Sequence, residues 1–366
     1  MSTVSQHDRR QFLKLAGAAG LLAAGVNLRA ADTKPDPKHL LILGGTGFLG
    51  PHIVKSALSR GHKVTLFNRG KTAPDMFPDV ETLIGDRDGQ LDALKGRDFD
   101  GVIDTSAYVP RISGMSAELL QERVPHYLFV STISVYQGFA EPGMTEDAPL
   151  AQLTEETEQV TGATYGALKA LSEEAVYQHY PESTTVVRPG LIVGPLDKTD
   201  RFTYWPVRAR RGGEILAPGE ADTAMQFIDV RDQAEFIVLC MENGVTGTMN
   251  TDRPAGSLTT SQMLDACLKF APAESKLTWV PADFLAEQNV APWQDLPAWI
   301  PPAGNYAGFG RVSTARAEAA GLTIRPLSDT ISGTLAWFDE AGRTSLRAGL
   351  SAEREAEVLK AWHASA

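Results

Sequence analysis

Between Lys38 and about Arg188 the chain alternates short apolar runs with longer stretches in which apolar positions recur every three or four residues. The first pattern predicts strands and the second amphipathic helices. Six strands are expected: His39 to Leu43, Lys63 to Phe67, Val80 to Ile84, Gly101 to Thr105, Tyr127 to Ser131 and Thr184 to Arg188. Short strands alternating with helical stretches imply parallel βαβ units, whose crossover helices cover both faces of one sheet. The expected fold class is therefore α/β, a Rossmann-type doubly wound parallel sheet over 38–190 that also takes in about 225–250. Beyond Pro189 the pattern loosens into Pro- and Trp-rich stretches such as RFTYWPVRAR and APWQDLPAWIPPAGNYAGFG. Residues 191–350 are expected to form a smaller substrate-binding lobe over the carboxyl edge of the sheet, and 351–366 a C-terminal helix.

The first residues follow neither pattern. In HDRRQFLKLAGAAGLLAAG, residues 7–25, the pair Arg9 and Arg10 precedes Phe12, Leu13 and Lys14, and an apolar run then extends from Leu15 to Leu28, interrupted only by Asn27. Gly17, Gly20 and Gly25 weaken a helix there, and the run is shorter than the roughly 20 apolar residues a bilayer span needs. It reads as a signal peptide over 1–31, not a permanent membrane anchor, with cleavage expected near Ala30 or Ala31. The Arg-Arg-x-Phe-Leu-Lys order resembles a twin-arginine signal, which implies a partner in the twin-arginine export machinery and a periplasmic or extracytoplasmic destination. An ordinary Sec signal or a basic tail is the alternative. The twin-arginine route is known for carrying proteins already folded, often with a cofactor inside.

The formal net charge is −11. Four basic residues and one acidic residue lie in the signal, so the remainder is more acidic still, and such a chain repels nucleic-acid phosphates and anionic lipid. No nucleic-acid partner is expected. Cys240 and Cys267 sit on apolar helical patterns without C-x-x-C or histidine spacing, so buried free thiols and no metal site are expected.

GGTGFLG, residues 44–50, follows the first strand and opens a helix. In that context Gly44, Gly47 and Gly50 can make the tight turn, admit a pyrophosphate and let helix pack on strand, with Thr46, Phe48 and Leu49 completing the loop. The second strand ends in Asn68 and Arg69, where NAD enzymes place an acidic residue for the ribose 2′-hydroxyl. An arginine without a neighbouring carboxylate suits a 2′-phosphate, which tilts the expectation toward NADP and leaves NAD open. In LIGDRDG, Asp86 lies where it can accept from the adenine amino group, with Arg87 beside it.

TYGALKA lies in a helical stretch from Gly162 to Tyr180, so Tyr165 and Lys169 are one turn apart on one face. About thirty residues earlier comes LFVSTISVY, at the end of the fifth strand. At this point the chain resembles the extended short-chain dehydrogenase/reductases, the NAD-dependent epimerase/dehydratases. GGTGFLG, GDRDG, VIDTSA, FVSTISVY, YGALK, RPGLIVGP and FIDVRD follow in the family's order over roughly residues 40–235. The resemblance implies Thr132 as the catalytic hydroxyl, with Ser131 its nearest competitor, Tyr165 as acid/base and Lys169 as partner of the tyrosine and the cofactor ribose. It also implies cofactor contacts from Thr105, Ser106, Ala107, Ser131, Pro189 and Leu191, and a possible homodimer. A tyrosine of pKa about 10 becomes a useful base only where positive charge favours the phenolate. Lys169 and an oxidised nicotinamide would supply it, while Thr132 holds the reacting oxygen.

Nucleotide-sugar epimerases grip the diphosphate with an arginine before the FIDVRD-like motif, whereas this chain has Met225 and Gln226 there, with Arg201 and Arg231 as substitutes from other positions. Tyr204, Trp205, Trp293 and Trp299 are expected to offer flat faces to a sugar ring or other cyclic alcohol, together with Thr132, Gln226 and Arg231. Free NAD(P) and nucleotide-sugars are cytoplasmic pools, so an exported enzyme needs a tightly held cofactor restored within each turnover. The expected function is an epimerase/dehydratase-like enzyme using transient hydride transfer on a free sugar, glycoside or similar small molecule. Net oxidoreduction with a separate redox partner is one alternative. The other, from a different class, is a non-catalytic relative of chloroplast stem-loop RNA-binding proteins, which the acidity and the intact Thr132, Tyr165 and Lys169 set oppose.

Overall fold

The structure, a computed structural model, describes residues 36–365. The signal-peptide reading falls on 1–31 and lies outside the described residues. Eleven strands occur among those described: β1 His39–Leu43, β2 Lys63–Asn68, β3 Glu81–Ile84, β4 Gly101–Asp104, β5 Tyr127–Val130, β6 Thr184–Pro189, β7 Ile192–Val193, β8 Glu214–Pro218, β9 Ile228–Asp229, β10 Gly247–Thr251 and β11 Lys276–Val280. Seven of them form one parallel sheet in the order β10-β6-β5-β4-β1-β2-β3. From β1 the chain first moves outward through β2 and β3, then returns to place β4, β5 and β6 on the other side. The strand order therefore reverses between β1 and β4, and a crevice opens beyond their carboxyl ends.

Period-two alternation decides which face each residue serves. Leu40 and Ile42 of β1 pack with Ile53 and Ala57 of α1 (Gly50–Ser59) on one side. Leu41 and Leu43 pack on the other with Ala117 and Leu120 of α2 (Pro110–Leu120) and Val176 of α3 (Tyr165–His179). Both faces of β1 are thus sealed, which is why it reads as a continuous apolar run.

The strand β10 escapes the apolar pattern because Thr248 and Asn250 are polar. Tertiary partners supply what the pattern lacks: the Tyr136 hydroxyl donates to Asn250 Oδ1 at 2.6 Å, the Asn250 side-chain amide donates to the Ser313 carbonyl at 3.1 Å, and the Asn250 backbone N–H donates to Glu146 Oε1 at 2.8 Å. A second apolar core lies beyond the sheet, where α4 (Tyr204–Arg211) and strands β8 and β11 bury Trp205, Leu216, Val280 and Trp299. The C-terminal helix Ala352–Ser365 is tied to this core through Glu355, which accepts from Arg211 Nη2 at 2.6 Å and from the Leu216 amide at 3.1 Å. Cys240 and Cys267 are buried free thiols.

Candidate active site

The loop after β1 divides its work among three glycines. Gly44 has φ +97°, and a Cβ on it would stand 2.5 Å from Thr105 Oγ1. A Cβ on Gly50 would strike the Gly44 carbonyl at 2.4 Å, so its absence lets α1 start directly against the strand end. A Cβ on Gly47 would meet nothing within 4 Å: this glycine borders open space. No side chain caps α1, and its first turn carries no acidic residue. A helix N-terminus left in that state, opening onto a space beside Gly47, fits the pyrophosphate of a dinucleotide.

Two clefts meet at Gly44, Gly47, Ser106 and Tyr108. The first, of about 370 Å³, is lined by Phe48, Leu49 and Gly50 of the loop and by Thr105, Ser131, Thr132, Tyr165, Lys169, Pro189 and Leu191. The second, of about 540 Å³, is lined by Thr46, Asn68, Arg69, Asp86 and Arg87. Ser131 Oγ is buried without a hydrogen-bond partner among the described residues. An unpartnered buried hydroxyl on the wall of the first cleft fits a polar group of a bound cofactor or substrate.

Tyr165 begins α3 and Thr132 follows β5, and one glycine brings them together. A Cβ on Gly166 would lie 2.0 Å from the Ser134 carbonyl, so only glycine allows the start of α3 to press onto the turn after Thr132. Thr132 Oγ1 in turn accepts from the Ser134 amide at 3.1 Å, which orients its hydroxyl. Burial raises the Tyr165 pKa, helped by Tyr108, while Thr132 and Arg201 oppose the shift. The phenol therefore rests protonated.

Lys169, one turn along, is buried beneath it and donates from Nζ to the carbonyls of Ala107 at 2.7 Å and Val130 at 2.8 Å, with the Phe129 ring 4.0 Å away. Its hydrogen bonds thus run to the floor of the cleft and not to the phenol. Burial lowers its pKa to about 7, against the pull of Asp104 and Glu173. Ala107 is itself held from behind: its amide donates to Asp104 Oδ1 at 3.3 Å, and Asp104 also accepts from the Tyr127 hydroxyl at 2.7 Å and from Arg87 Nη1 at 2.6 Å. Burial pushes the Asp104 carboxyl up, but Arg87 overrides it and holds the group below its ordinary value.

The second cleft differs in detail from the sequence expectation. Arg87 spends its guanidinium on Asp104 and Ser116, because a buried cation requires a paired charge. Asn68 Oδ1 accepts from the Gly70 amide at 2.8 Å and so shapes the turn. Arg69 and Lys71 line the cleft and pair with no carboxylate among the described residues. Across this cleft Arg111 joins three segments: it donates to both oxygens of Glu158 at 2.9 Å and to Asp88 at 2.6 Å.

Five of the residues expected to bind substrate lie elsewhere. Tyr204 and Trp205 are 3% and 1% exposed in the second core, where Trp205 Nε1 donates to the Pro297 carbonyl at 2.7 Å. Trp299 is buried against Gly219. Gln226 is occupied by the backbone, donating to Arg253 and Val312 carbonyls and accepting from the Val312 amide. Arg231 pairs with Asp229 at 2.7 Å. The large rings went into the second apolar core, Trp299 with its Nε1 left unpartnered, and the polar groups went to hydrogen-bonding partners. Trp293 does line the first cleft, joined there by Tyr108, Arg201 and Phe309. Tyr108 and Phe309 carry no motif, whereas Arg201 is one of the two arginines expected to substitute for the missing diphosphate grip, and the positions of all three depend on loops folding back over the sheet edge.

Similarities to known proteins agree with this architecture. The chain is 28% identical to the chloroplast stem-loop binding protein of 41 kDa b of Arabidopsis thaliana, over 56% of each chain. It is 31% identical to the decarboxylating sterol-4-alpha-carboxylate 3-dehydrogenase of Bos taurus, over 48% of this chain and 53% of that one. The chain thus spans little more than half the length of these two relatives. Among solved structures, the Bordetella bronchiseptica enzyme WbmG in complex with NAD superposes with a TM-score of 0.60 at 20% identity, covering 86% of this chain and 98% of that one. UDP-glucuronic acid 4-epimerase from Bacillus cereus in complex with NAD gives 0.57 at 13%, covering 83% and 99%. At those identities the likeness is one of fold. A family model described as the NAD dependent epimerase/dehydratase family matches residues 40–116 and 111–251, and with more than half its length so matched the chain belongs to that family.

Proposed function

We propose that this protein is an NAD(P)-dependent epimerase/dehydratase-type enzyme that oxidises a secondary alcohol of a sugar-like small molecule and returns the hydride within the same turnover. The observation that carries this reading is the convergence of Thr132, Tyr165 and Lys169 on the cleft that the glycine loop enters. A bound nicotinamide supplies hydride acceptance and return. Gly47 and the uncapped start of α1 would hold the pyrophosphate, the Asn68 to Lys71 turn the adenosine end, and Lys169 and Ser131 the nicotinamide ribose. Arg69 and Lys71, free of carboxylate partners among the described residues, favour a 2′-phosphate and hence NADP over NAD.

Tyr165 then accepts the proton of the alcohol as the hydride leaves and gives it back on return. Its buried phenol needs positive charge to do so, which a bound oxidised nicotinamide would supply, with Arg201 on the cleft wall also favouring the phenolate. Thr132, its hydroxyl oriented by Ser134, holds the reacting oxygen beside the phenol. Export by the twin-arginine route, with the cofactor carried inside and the work done in the periplasm, belongs to the same proposal.

The test is native mass spectrometry of protein taken from the exported fraction, followed by incubation with candidate sugars in deuterated water. Bound NAD(P) is expected, with converted sugar, no lasting reduction of cofactor and no solvent deuterium in the transferred hydrogen, since the hydride that leaves the alcohol carbon is the one returned. Empty protein would sink the retained-cofactor mechanism, and lasting stoichiometric reduction would favour net oxidoreduction with a redox partner. Tyr165→Phe should lower turnover roughly 100-fold or more while leaving the cofactor bound.

A further inference from the structure

Arg201 stands on the wall of the first cleft, in the same space as Thr132 and Tyr165. Its guanidinium is held from two sides. Nε donates to Thr199 Oγ1 at 3.0 Å, and that hydroxyl is anchored by donating to Asp197 Oδ1 at 2.6 Å. The Trp293 ring, also on the cleft wall, lies 5.8 Å from the guanidinium carbon. Both terminal nitrogens remain without a protein acceptor among the described residues.

Most buried and half-buried arginines among the described residues are ion-paired, Arg253 being another that is not. Arg87, Arg188, Arg208, Arg325 and Arg343 each pair with a carboxylate: Asp104, Glu173, Glu355, Asp232 and Asp200. Asp197, close enough to feel the Arg201 charge, is turned to Thr199 and forms no ion pair with it. A fork of donors against an aromatic wall, with both terminal nitrogens open to a cleft and no direct ion pair, is the arrangement that receives a carboxylate or phosphate. The same charge reaches the Tyr165 phenol, so the anion would sit near the reacting group.

We infer that the substrate carries an anionic oxyacid group, a carboxylate or a phosphate ester, beside the alcohol that reacts, and that Arg201 receives it. This rests on the proposed function and narrows its substrate class from sugar-like alcohols to sugar acids, hydroxy acids or sugar phosphates. Arg201 acts as a specificity-determining residue.

The test uses cofactor-loaded Tyr165→Phe protein, so that binding is read apart from chemistry. D-Glucose, D-glucuronate and D-glucose 6-phosphate are titrated by saturation-transfer NMR, and repeated with Arg201→Gln and Arg201→Lys added. At least one anion is expected to bind about tenfold or more tighter than glucose, the gain disappearing in Arg201→Gln and surviving in part in Arg201→Lys. Preference for glucuronate identifies a carboxylate, and preference for the phosphate ester identifies a phosphate. The inference is overturned if neither anion gains over glucose, or if the gain persists in Arg201→Gln with each variant melting as the parent does. Failure of the hydride-transfer reading would appear in the deuterium experiment and leave this binding comparison unchanged.

Discussion

Lys169 Nζ and the backbone oxygen of Ala107 are 2.7 Å apart, a bond that joins α3 to the segment leaving β4 beneath the site. It buries an ammonium, and burial lowers the lysine pKa to about 7 from its ordinary value of 10.5. In the unfolded chain the proton stays on until about pH 10.4. Between those two values the unfolded state binds more protons than the folded one, so stability should rise with pH. Urea unfolding of the cofactor-free protein should show this rise between about pH 7 and 10, at up to about 1.4 kcal/mol per pH unit, and Lys169→Met should lack it. Parallel pH profiles for the two proteins would refute the assignment.

Gly47 and Gly50 should fail in opposite ways. Alanine at Gly47 meets open space in the protein and should leave the melting temperature nearly unchanged while weakening NAD(P) binding about tenfold or more, since its methyl enters the space reserved for the pyrophosphate. Alanine at Gly50 collides with the Gly44 carbonyl and should cost about 1–3 kcal/mol in stability. Calorimetric titration and thermal melts separate the two, and unimpaired cofactor binding by Gly47→Ala would move the pyrophosphate elsewhere.

Gly166→Ala tests whether close approach of α3 sets the position of Tyr165. The added methyl must displace the helix start from the Ser134 carbonyl. A shift of about 1 Å at a reacting group costs on the order of 100-fold in rate. The expected result is a large fall in kcat with cofactor affinity little altered, and wild-type kcat would show that the turn gives way instead.

Arg111 bridges Asp88 and Glu158 across the second cleft, where the proposal seats the adenosine end of the cofactor, and the pairs are exposed. Exposed pairs weaken as salt screens them. Arg111→Gln should therefore speed release of bound NAD(P) several-fold at low ionic strength, measured by cofactor fluorescence after dilution, and the difference should shrink in about 1 M salt. Equal release rates at low salt would remove Arg111 from cofactor retention.

The sequence by itself determined the six strands from His39 to Pro189, the glycine loop and the helical spacing of Tyr165 and Lys169, but not that β2, β3 and β4 are joined without an α-helix. The strands, the loop and the spacing are local properties: apolar periodicity and glycine placement act over a few residues, so one segment is enough to read them. Strand β10 was not legible, because its polar Thr248 and Asn250 side chains are partnered by residues far away in the chain, Tyr177 and Tyr136. Nor was the fate of the aromatic residues. Tyr204, Trp205 and Trp299 share their composition with Trp293, yet only Trp293 reaches the first cleft. The arginines divide in the same way, Arg87 and Arg231 each taking a carboxylate while Arg201 keeps its terminal donors free among the described residues. Whether a ring or a charge fills a core, closes an ion pair or faces a ligand depends on what the fold sets opposite it, and that is decided only when distant segments meet.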